Sequence, residues 1–577
     1  MLSTFNSRRG NTDLPALLWI LLYFFFFSGV LQLLIMGTEY SGTNGLRDSL
    51  LFSLLWVMIV ILFPRHTKII AAVTGLVLWL SSLATLCYYI IYGQEFSQSV
   101  LYVIFETNTN EASEYLSQYL NIKIIFATLI YTFVAIFLWS RLRPVYLPRA
   151  WRGLFSLLLV FSLFLYPIFR DVFLKDKSFE EASLKLATRM EPAAPWQFVV
   201  GYIQYRHQLD SLNSLLEKNN QLPPLKNLMD VSGDKPRTLV LVIGESTQRD
   251  HMSLYGYNRE TTPELDDLAK NNPNMTIFKN VVTSRPYTIE ILQQALTFAD
   301  EKHPDLYLTK PSLMNMMKQA GYKTFWITNQ QTMTERNTML TVFSRQTDVQ
   351  YYMNQQRRQG SREYDTNVLA PFKKALSDAA PRKLIIVHLL GTHINYKYRY
   401  PENWNKFDGI TAGVPSGLST DQRESYNDYD NANLFNDHVV ASLIKDYKNS
   451  QPDGFLLYFS DHGEEVYDTP PHNMQGRNEE NPTRHMYNIP FILWTSDSWK
   501  AEHPRDFTQD VNRKYSSADL IYTWSDLAGL RYDGYHPERS VTNPDFHEVT
   551  RWIGNPYKKN SLRDYDLLPY GTSSASQ

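Results

Sequence analysis

GFLLYFSDHGEE, residues 454–465, passes from an apolar run into four ionisable side chains within five positions: Asp461, His462, Glu464 and Glu465, interrupted only by Gly463. An apolar and aromatic run without polar alternation is how a strand covered on both faces reads. The charges that follow are expensive to bury unless water, a salt bridge or a metal compensates them. RTLVLVIGEST, YKTFWITN, KLIIVHLLGTH and IPFILWTSD repeat the strand pattern, and TPELDDLAK, TIEILQQALTF, PSLMNMMKQAG and NDYDNANLFNDHVVASLIKDYK between them have helical spacing. The alternation predicts an α/β domain with a mostly parallel sheet over residues 235–577.

In such folds ligands gather beyond the C-terminal ends of the strands. Glu245 follows LVLVIG, His388 and His393 follow LIIV, and Asp461 and His462 follow FLLYFS. Taken alone, an Asp after a strand caps a helix and a lone His is a hydrogen-bonded structural residue. Three strand ends carrying carboxylate or imidazole instead favour one divalent ion of the Zn²⁺ type, held by Glu245, Asp461 and His462. Neither HExxH nor CxxC is present. Gly463 is expected to let the backbone turn beside the ion, with Glu464 and Glu465 behind the ligands or at the rim.

The nucleophile implied beside such an ion is a hydroxyl, because the lone thiol, Cys87, lies in an apolar run. NVVTSRPYTIEILQQALTF runs from a strand-like start into a helix, whose N-terminus favours an anion. Thr283, Ser284 and Thr288 are the candidates, with Arg285 as a phosphate partner.

The N-terminal third reads differently. Apolar runs at Leu14–Met36, Ser49–Pro64, Ile69–Gly93, Ile122–Trp139 and Gly153–Phe169 approach the length that spans a bilayer. Arg8, Arg9, Arg65, Lys68, Arg141, Arg143, Arg149 and Arg152 fall in alternate connections, which places the N-terminus in the cytoplasm and the chain after residue 170 outside. LIMGTEYSG offers no A-x-A-like cleavage site, so the first run is expected to stay as an anchor. Residues 1–171 are therefore the membrane domain. Residues 172–234 are expected to hold a helix and the linker QLPPLKN; the helix lies at the membrane surface, with Trp196, Tyr202 and Tyr205 at headgroup level, or packs only on the soluble domain. Charge is balanced, 56 basic against 58 acidic residues with no basic block, which argues against nucleic-acid binding.

VIGEST (242–247), the threonine at the helix start, HLLGTH (388–393) and SDHGEE (460–465) follow, in order, the motifs of the bacterial phosphoethanolamine transferases. The chain resembles these inner-membrane members of the alkaline phosphatase/sulfatase superfamily along nearly its whole length, and is most similar to the branch that modifies the lipopolysaccharide core. The resemblance implies a periplasmic Zn-dependent domain after five spans, with Glu245, Thr288, Asp461 and His462 at the metal. It further implies Thr288 as the phosphorylated nucleophile, phosphatidylethanolamine as donor and lipopolysaccharide, at a core heptose, as acceptor. His388, His393 and His472 fall where histidines serve the substrate phosphate or a second metal, and Glu111 where an acid holds the donor headgroup. The cysteine-flanked threonine motif of the lipid A branch is here SRPYTIEILQQ, without cysteines, which leaves Thr283 and Ser284 open. A phosphoglycerol transferase of the same superfamily, or transfer to a lipid A phosphate, is the alternative; SRPYT does not match the C/S-x-P-x-R motif of sulfatases.

Overall fold

The computed structural model describes residues 10–37, 43–92, 101, 104–105, 107, 121–175, 178–217, 223–330, 339–354 and 364–569. The chain divides into two compact units near His207.

In the first unit, five helices among the described residues are long and apolar enough to cross a membrane. They are α1 (Gly10–Gly37), α2 (Asn44–Leu62), α3 (Thr67–Tyr92), α4 (Ile122–Arg141) and α5 (Arg149–Phe173). The short second and fifth apolar runs each extend into their polar flanks. At the start of α2, Asp48 is buried but pairs with Arg47 at 3.0 Å and Arg189 at 3.3 Å, so helix replaces loop without stranding a charge. At the end of α5, Asp171 pairs with Arg170 at 3.1 Å and Lys185 at 2.8 Å.

Both outside cations, Arg189 and Lys185, belong to α6 (Phe179–Met190), a helix the sequence reading folded into an undivided connector. The expected helix follows as α7 (Trp196–Glu217). Its Trp196 stacks on Trp56 with ring centroids 6.0 Å apart. Tyr202 and Ile203 are exposed, whereas Tyr205 is buried and packs 5.6 Å from Phe105.

In the second unit a seven-stranded sheet runs in the order β2-β7-β6-β1-β5-β3-β4. The strands are β1 (Arg237–Gly244), β2 (Met275–Phe278), β3 (Lys323–Thr328), β4 (Val349–Tyr352), β5 (Arg382–His388), β6 (Phe455–Ser460) and β7 (Phe491–Thr495). All pairings are parallel except those of β7, which runs against both β6 and β2. β2 and β4 are edge strands only partly buried, and lack the continuous apolar run that marks the other five.

Two apolar layers cover the sheet. Leu239, Leu241 and Ile243 of β1 face a cluster containing Leu292 of α8 (Thr288–Ala295) together with Met316 and Trp524. Val240 and Val242 face the other, with Tyr429, Phe435, Val440 and Ile444 of α9 (Thr420–Asn449). Each strand alternates between two buried faces, which is why its sequence shows no polar alternation.

Candidate active site and metal centre

Gly244 of β1 pairs with Ser460 of β6, so the next residues, Glu245 and Asp461, leave the sheet side by side. Asp461 N–H donates to the Gly244 carbonyl at 3.0 Å, fixing that register at the sheet end. Glu245, Asp461 and His462 are all buried, and one ligand atom from each lies within 4.8 Å of the others. His462 Nε2 stands 3.2 Å from Glu245 Oε1 and 3.4 Å from Asp461 Oδ2. Its Nδ1 lies 2.8 Å from the Gly463 carbonyl, to which it donates. That bond leaves the lone pair on Nε2, aimed at the carboxylates.

Two buried carboxylates in contact cannot both ionise without a cation. Burial and the neighbouring Glu245 push the Asp461 carboxyl well above its ordinary range. Burial also opposes ionisation of Glu245, but His462, His393 and Arg477 hold its carboxyl well below the usual value. Asp461 Oδ2 is buried and has no hydrogen-bond partner. Two carboxylates, one imidazole nitrogen and an orphaned carboxylate oxygen make a donor set that fits Zn²⁺.

Thr288, half-buried at the start of α8, donates from Oγ1 to Glu245 Oε2 at 2.9 Å and lies 3.4 Å from His462 Nε2. The other two hydroxyls are engaged elsewhere. Thr283 Oγ1 donates to the Arg285 carbonyl at 3.1 Å, and Ser284 Oγ donates to Gln294 Oε1. Arg285 is not placed as a phosphate partner: its Nε meets Glu479 Oε1 at 2.6 Å in a buried ion pair.

The histidines separate. His393 lies near the group, its buried Nδ1 without a hydrogen-bond partner, and burial lowers its pKa to about 3 against the attraction of Glu245. His388 is fully buried, with both ring nitrogens unpartnered and its ring edge-on to Trp326 at 6.0 Å. Fully buried, it offers no surface for a substrate to touch. Half-buried His472 hydrogen-bonds through Nδ1 to the Tyr467 carbonyl at 2.7 Å. Glu111 lies outside the described residues.

Gly463 serves close packing rather than a left-handed turn. A Cβ there would collide with the His485 carbonyl oxygen, and Gly463 N–H donates to Met486 O at 3.0 Å. Gly391, in HLLGTH, does take a left-handed conformation (φ 54°), and a Cβ on it would stand 2.6 Å from the Glu245 carbonyl oxygen. Glu464 and Glu465 lie behind the ligands and not at a rim, both being fully buried. Glu464 accepts from Tyr396 Oη at 3.1 Å, and burial pushes its pKa up to about 7. Glu465 accepts from both Thr469 and Thr483.

Three contributors escaped the sequence reading. Arg477 donates from Nη1 to His462 Nε2 at 2.6 Å and lies 3.5 Å from Glu464 and 3.8 Å from Glu245. It comes from a short hairpin, in QGRNEE, whose sequence has no strand-end signature. Gln330 Nε2 donates to Glu245 Oε2 at 3.1 Å; its position two residues past β3 was the available signal. Ser246, in a left-handed conformation (φ 57°), donates its N–H to Asp461 Oδ1 at 3.1 Å and its hydroxyl to Glu245 Oε1 at 2.9 Å.

A model of the Sulfatase family matches residues 237–530. Phosphoethanolamine transferase EptC of Escherichia coli (strain K12) is 72% identical over 562 residues, 97% of each chain. The chain belongs to the phosphoethanolamine transferases. The crystal structure of the C-terminal periplasmic domain of Escherichia coli EptC in complex with Zn is 79% identical, with a TM-score of 0.60 over 61% of this chain and 98% of that one. The integral membrane lipooligosaccharide phosphoethanolamine transferase A of Neisseria meningitidis shares the fold at 19% identity, with a TM-score of 0.64 over 92% of this chain and 98% of that one. This phosphoethanolamine transferase thus joins five membrane-capable helices to a sulfatase-like α/β unit. It is an enzyme of the phosphoethanolamine transferase family.

Proposed function

We infer that the enzyme moves phosphoethanolamine from phosphatidylethanolamine to a core heptose of lipopolysaccharide through a covalent intermediate on Thr288. The observation that carries this reading is the place of Thr288 Oγ1, 2.9 Å from Glu245 Oε2 and 3.4 Å from His462 Nε2 at a helix N-terminus. The names of the relatives support the transferred group, and the Zn complex of the Escherichia coli domain supports the metal.

Glu245, Thr288, Asp461 and His462 would hold Zn²⁺, which when bound acidifies the threonine hydroxyl and withdraws charge from phosphoryl oxygens. Thr288 Oγ1 attacks the donor phosphorus while its proton passes to the neutral imidazole of His393 near the group. The new O–P bond forms as the bond to the glycerol oxygen breaks, and diacylglycerol leaves carrying that proton. An acceptor hydroxyl then attacks the same phosphorus, the Thr288 O–P bond breaks, and the acceptor's proton returns to Thr288. Backbone N–H groups at the start of α8 and the Arg477 guanidinium face the charge that builds on phosphoryl oxygens.

His393, neutral at physiological pH, serves the leaving or entering oxygen, and His472 contacts substrate. Glu111 takes the ammonium of the donor. Anchoring in the bacterial inner membrane, with the catalytic unit in the periplasm, confines enzyme and lipid substrates to one interface and raises their effective concentration.

The test is the mass of lipopolysaccharide made with and without this protein, fragmented into core and lipid A. A phosphoethanolamine increment on the core bears the reading out. An increment on lipid A moves the acceptor, and none removes the activity. Labelled ethanolamine should mark the trapped protein; labelling by glycerol instead would make it a phosphoglycerol transferase.

A further inference from the structure

α9 lies antiparallel along β1 and is tied to it at both ends by a buried tyrosine. Near the start of the strand, Tyr447 Oη donates to the Thr238 carbonyl. Just past its end, Tyr429 Oη donates to the Ser246 carbonyl at 2.7 Å and accepts from the Gln248 N–H at 3.0 Å. One hydroxyl thus serves a backbone acceptor and a backbone donor, both in buried residues where β1 leaves the sheet.

Ser246 is the residue that turn exists to place. Its left-handed conformation (φ 57°) persists in a residue with a side chain only where the surroundings enforce it. In that conformation its N–H reaches Asp461 Oδ1 at 3.1 Å while its hydroxyl reaches Glu245 Oε1 at 2.9 Å. A single residue therefore sets the spacing of the two buried carboxylates. Two restraints on the turn come from the sheet end itself: Thr392 N–H donates to the Glu245 carbonyl at 3.0 Å, and Thr247 N–H donates to Ser460 Oγ at 2.9 Å. Tyr429 adds one from the helical layer.

The tyrosine is itself held firmly. It is fully buried, with its ring edge-on to Tyr396 at 4.9 Å and to His251 at 5.1 Å between centroids. Tyr396 in turn donates to Glu464 at 3.1 Å. α9 runs for 30 residues from a capping box at Ser419 and Gln422, so the hydroxyl is presented by a rigid element and not by a loop.

We propose that Tyr429 is a positioning residue for the metal group, acting through Ser246 to hold the Glu245 and Asp461 carboxylates at the spacing a divalent ion needs. The role rests on the reading that these carboxylates and His462 bind Zn²⁺. Tyr429 itself bonds to backbone, so its effect reaches the ion only through the turn.

The test compares metal affinity with stability. Full-length protein in detergent, stripped of metal, is titrated with Zn²⁺ against a chromophoric chelator and is also melted without metal. The series is wild type, Tyr429→Phe, Tyr447→Phe and Asp461→Asn. Phe keeps the ring packing and removes one oxygen; Tyr447→Phe removes the same atom from the same helix at the far end of β1. Both Phe variants should melt below wild type, because each leaves a buried backbone group without its partner. Only Tyr429→Phe should weaken Zn²⁺ binding, by about 10–100-fold, the usual consequence of losing a group that orients metal ligands. Tyr447→Phe should bind Zn²⁺ as wild type does. Unchanged Zn²⁺ affinity in Tyr429→Phe overturns the proposal, and so does an equal loss in both Phe variants, the mark of general loosening. Asp461→Asn separates this role from the reading beneath it. If that variant binds Zn²⁺ as tightly as wild type, the metal lies elsewhere and both fall. If it loses Zn²⁺ while Tyr429→Phe keeps it, the positioning role alone falls.

Discussion

Thr288 Oγ1 and Glu245 Oε2 stand 2.9 Å apart, joined by a hydrogen bond across 43 residues of sequence. The bond links the first residue of α8 to the residue that follows β1. It brings the one half-buried hydroxyl of its segment to a buried carboxylate that is also grouped with His462 and Asp461.

Replacing Thr288 by Ala should abolish transfer, lowering the rate on the order of a thousandfold or more, and should remove any labelled covalent intermediate. Thr288→Ser should keep part of the rate. Thr283→Ala and Ser284→Ala should still form the intermediate, because those hydroxyls bond inside the fold. Labelled donor followed by peptide mapping checks the set; a label on residue 283 or 284 would sink the assignment.

Asp461→Asn removes one of two repelling buried carboxylates. The metal-free variant should melt no lower than metal-free wild type, while the rise in melting temperature with added Zn²⁺ should disappear. Calorimetry with and without Zn²⁺, alongside metal content by mass spectrometry, measures both. A variant that still binds Zn²⁺ as tightly would place the metal elsewhere.

Arg477→Ala should lower kcat by roughly a hundredfold, as expected for loss of a group that meets developing charge, with a smaller change in KM. Arg477→Lys should recover part of that loss. Steady-state kinetics separates this from a folding defect, which would lower the active fraction without a Lys rescue.

His251 reports on pH. Burial works against its charge, yet Asp468 and Asp430, at 3.0 and 2.6 Å, raise its pKa to about 10. A raised folded pKa means the stabilisation is complete below the unfolded value of about 6.5 and is lost as pH climbs toward about 10. His251→Asn should cost about 3 kcal/mol or more at neutral pH by breaking a buried charge pair. It should also flatten the decline in stability over that window. Urea midpoints across the pH range supply the comparison.

Gly463→Ala forces a Cβ onto the His485 carbonyl and within 3.0 Å of the Asn488 carbonyl oxygen, both backbone atoms that yield little. Destabilisation of roughly 1–3 kcal/mol, with weakened Zn²⁺ binding because His462 shifts, is the expected outcome. Unchanged melting and metal affinity would show that the segment relaxes freely.

The sequence by itself determined the five apolar spans, the α/β layering and the grouping of Glu245, Asp461 and His462. Hydrophobic runs record burial directly, and strand-end polar residues recur next to them, so Glu245, Asp461 and His462 were legible from local pattern. It could not choose among Thr283, Ser284 and Thr288, since all three look alike at a strand-to-helix turn. The tertiary structure separates them, with the Thr283 and Ser284 hydroxyls in local bonds and Thr288 turned toward Glu245. The same holds for Arg477 and Gln330, which lie far along the chain from the side chains they meet. Periodicity reports which face of an element is buried. Which side chains from different elements meet depends on strand register and helix packing, and those are set only when the whole core closes.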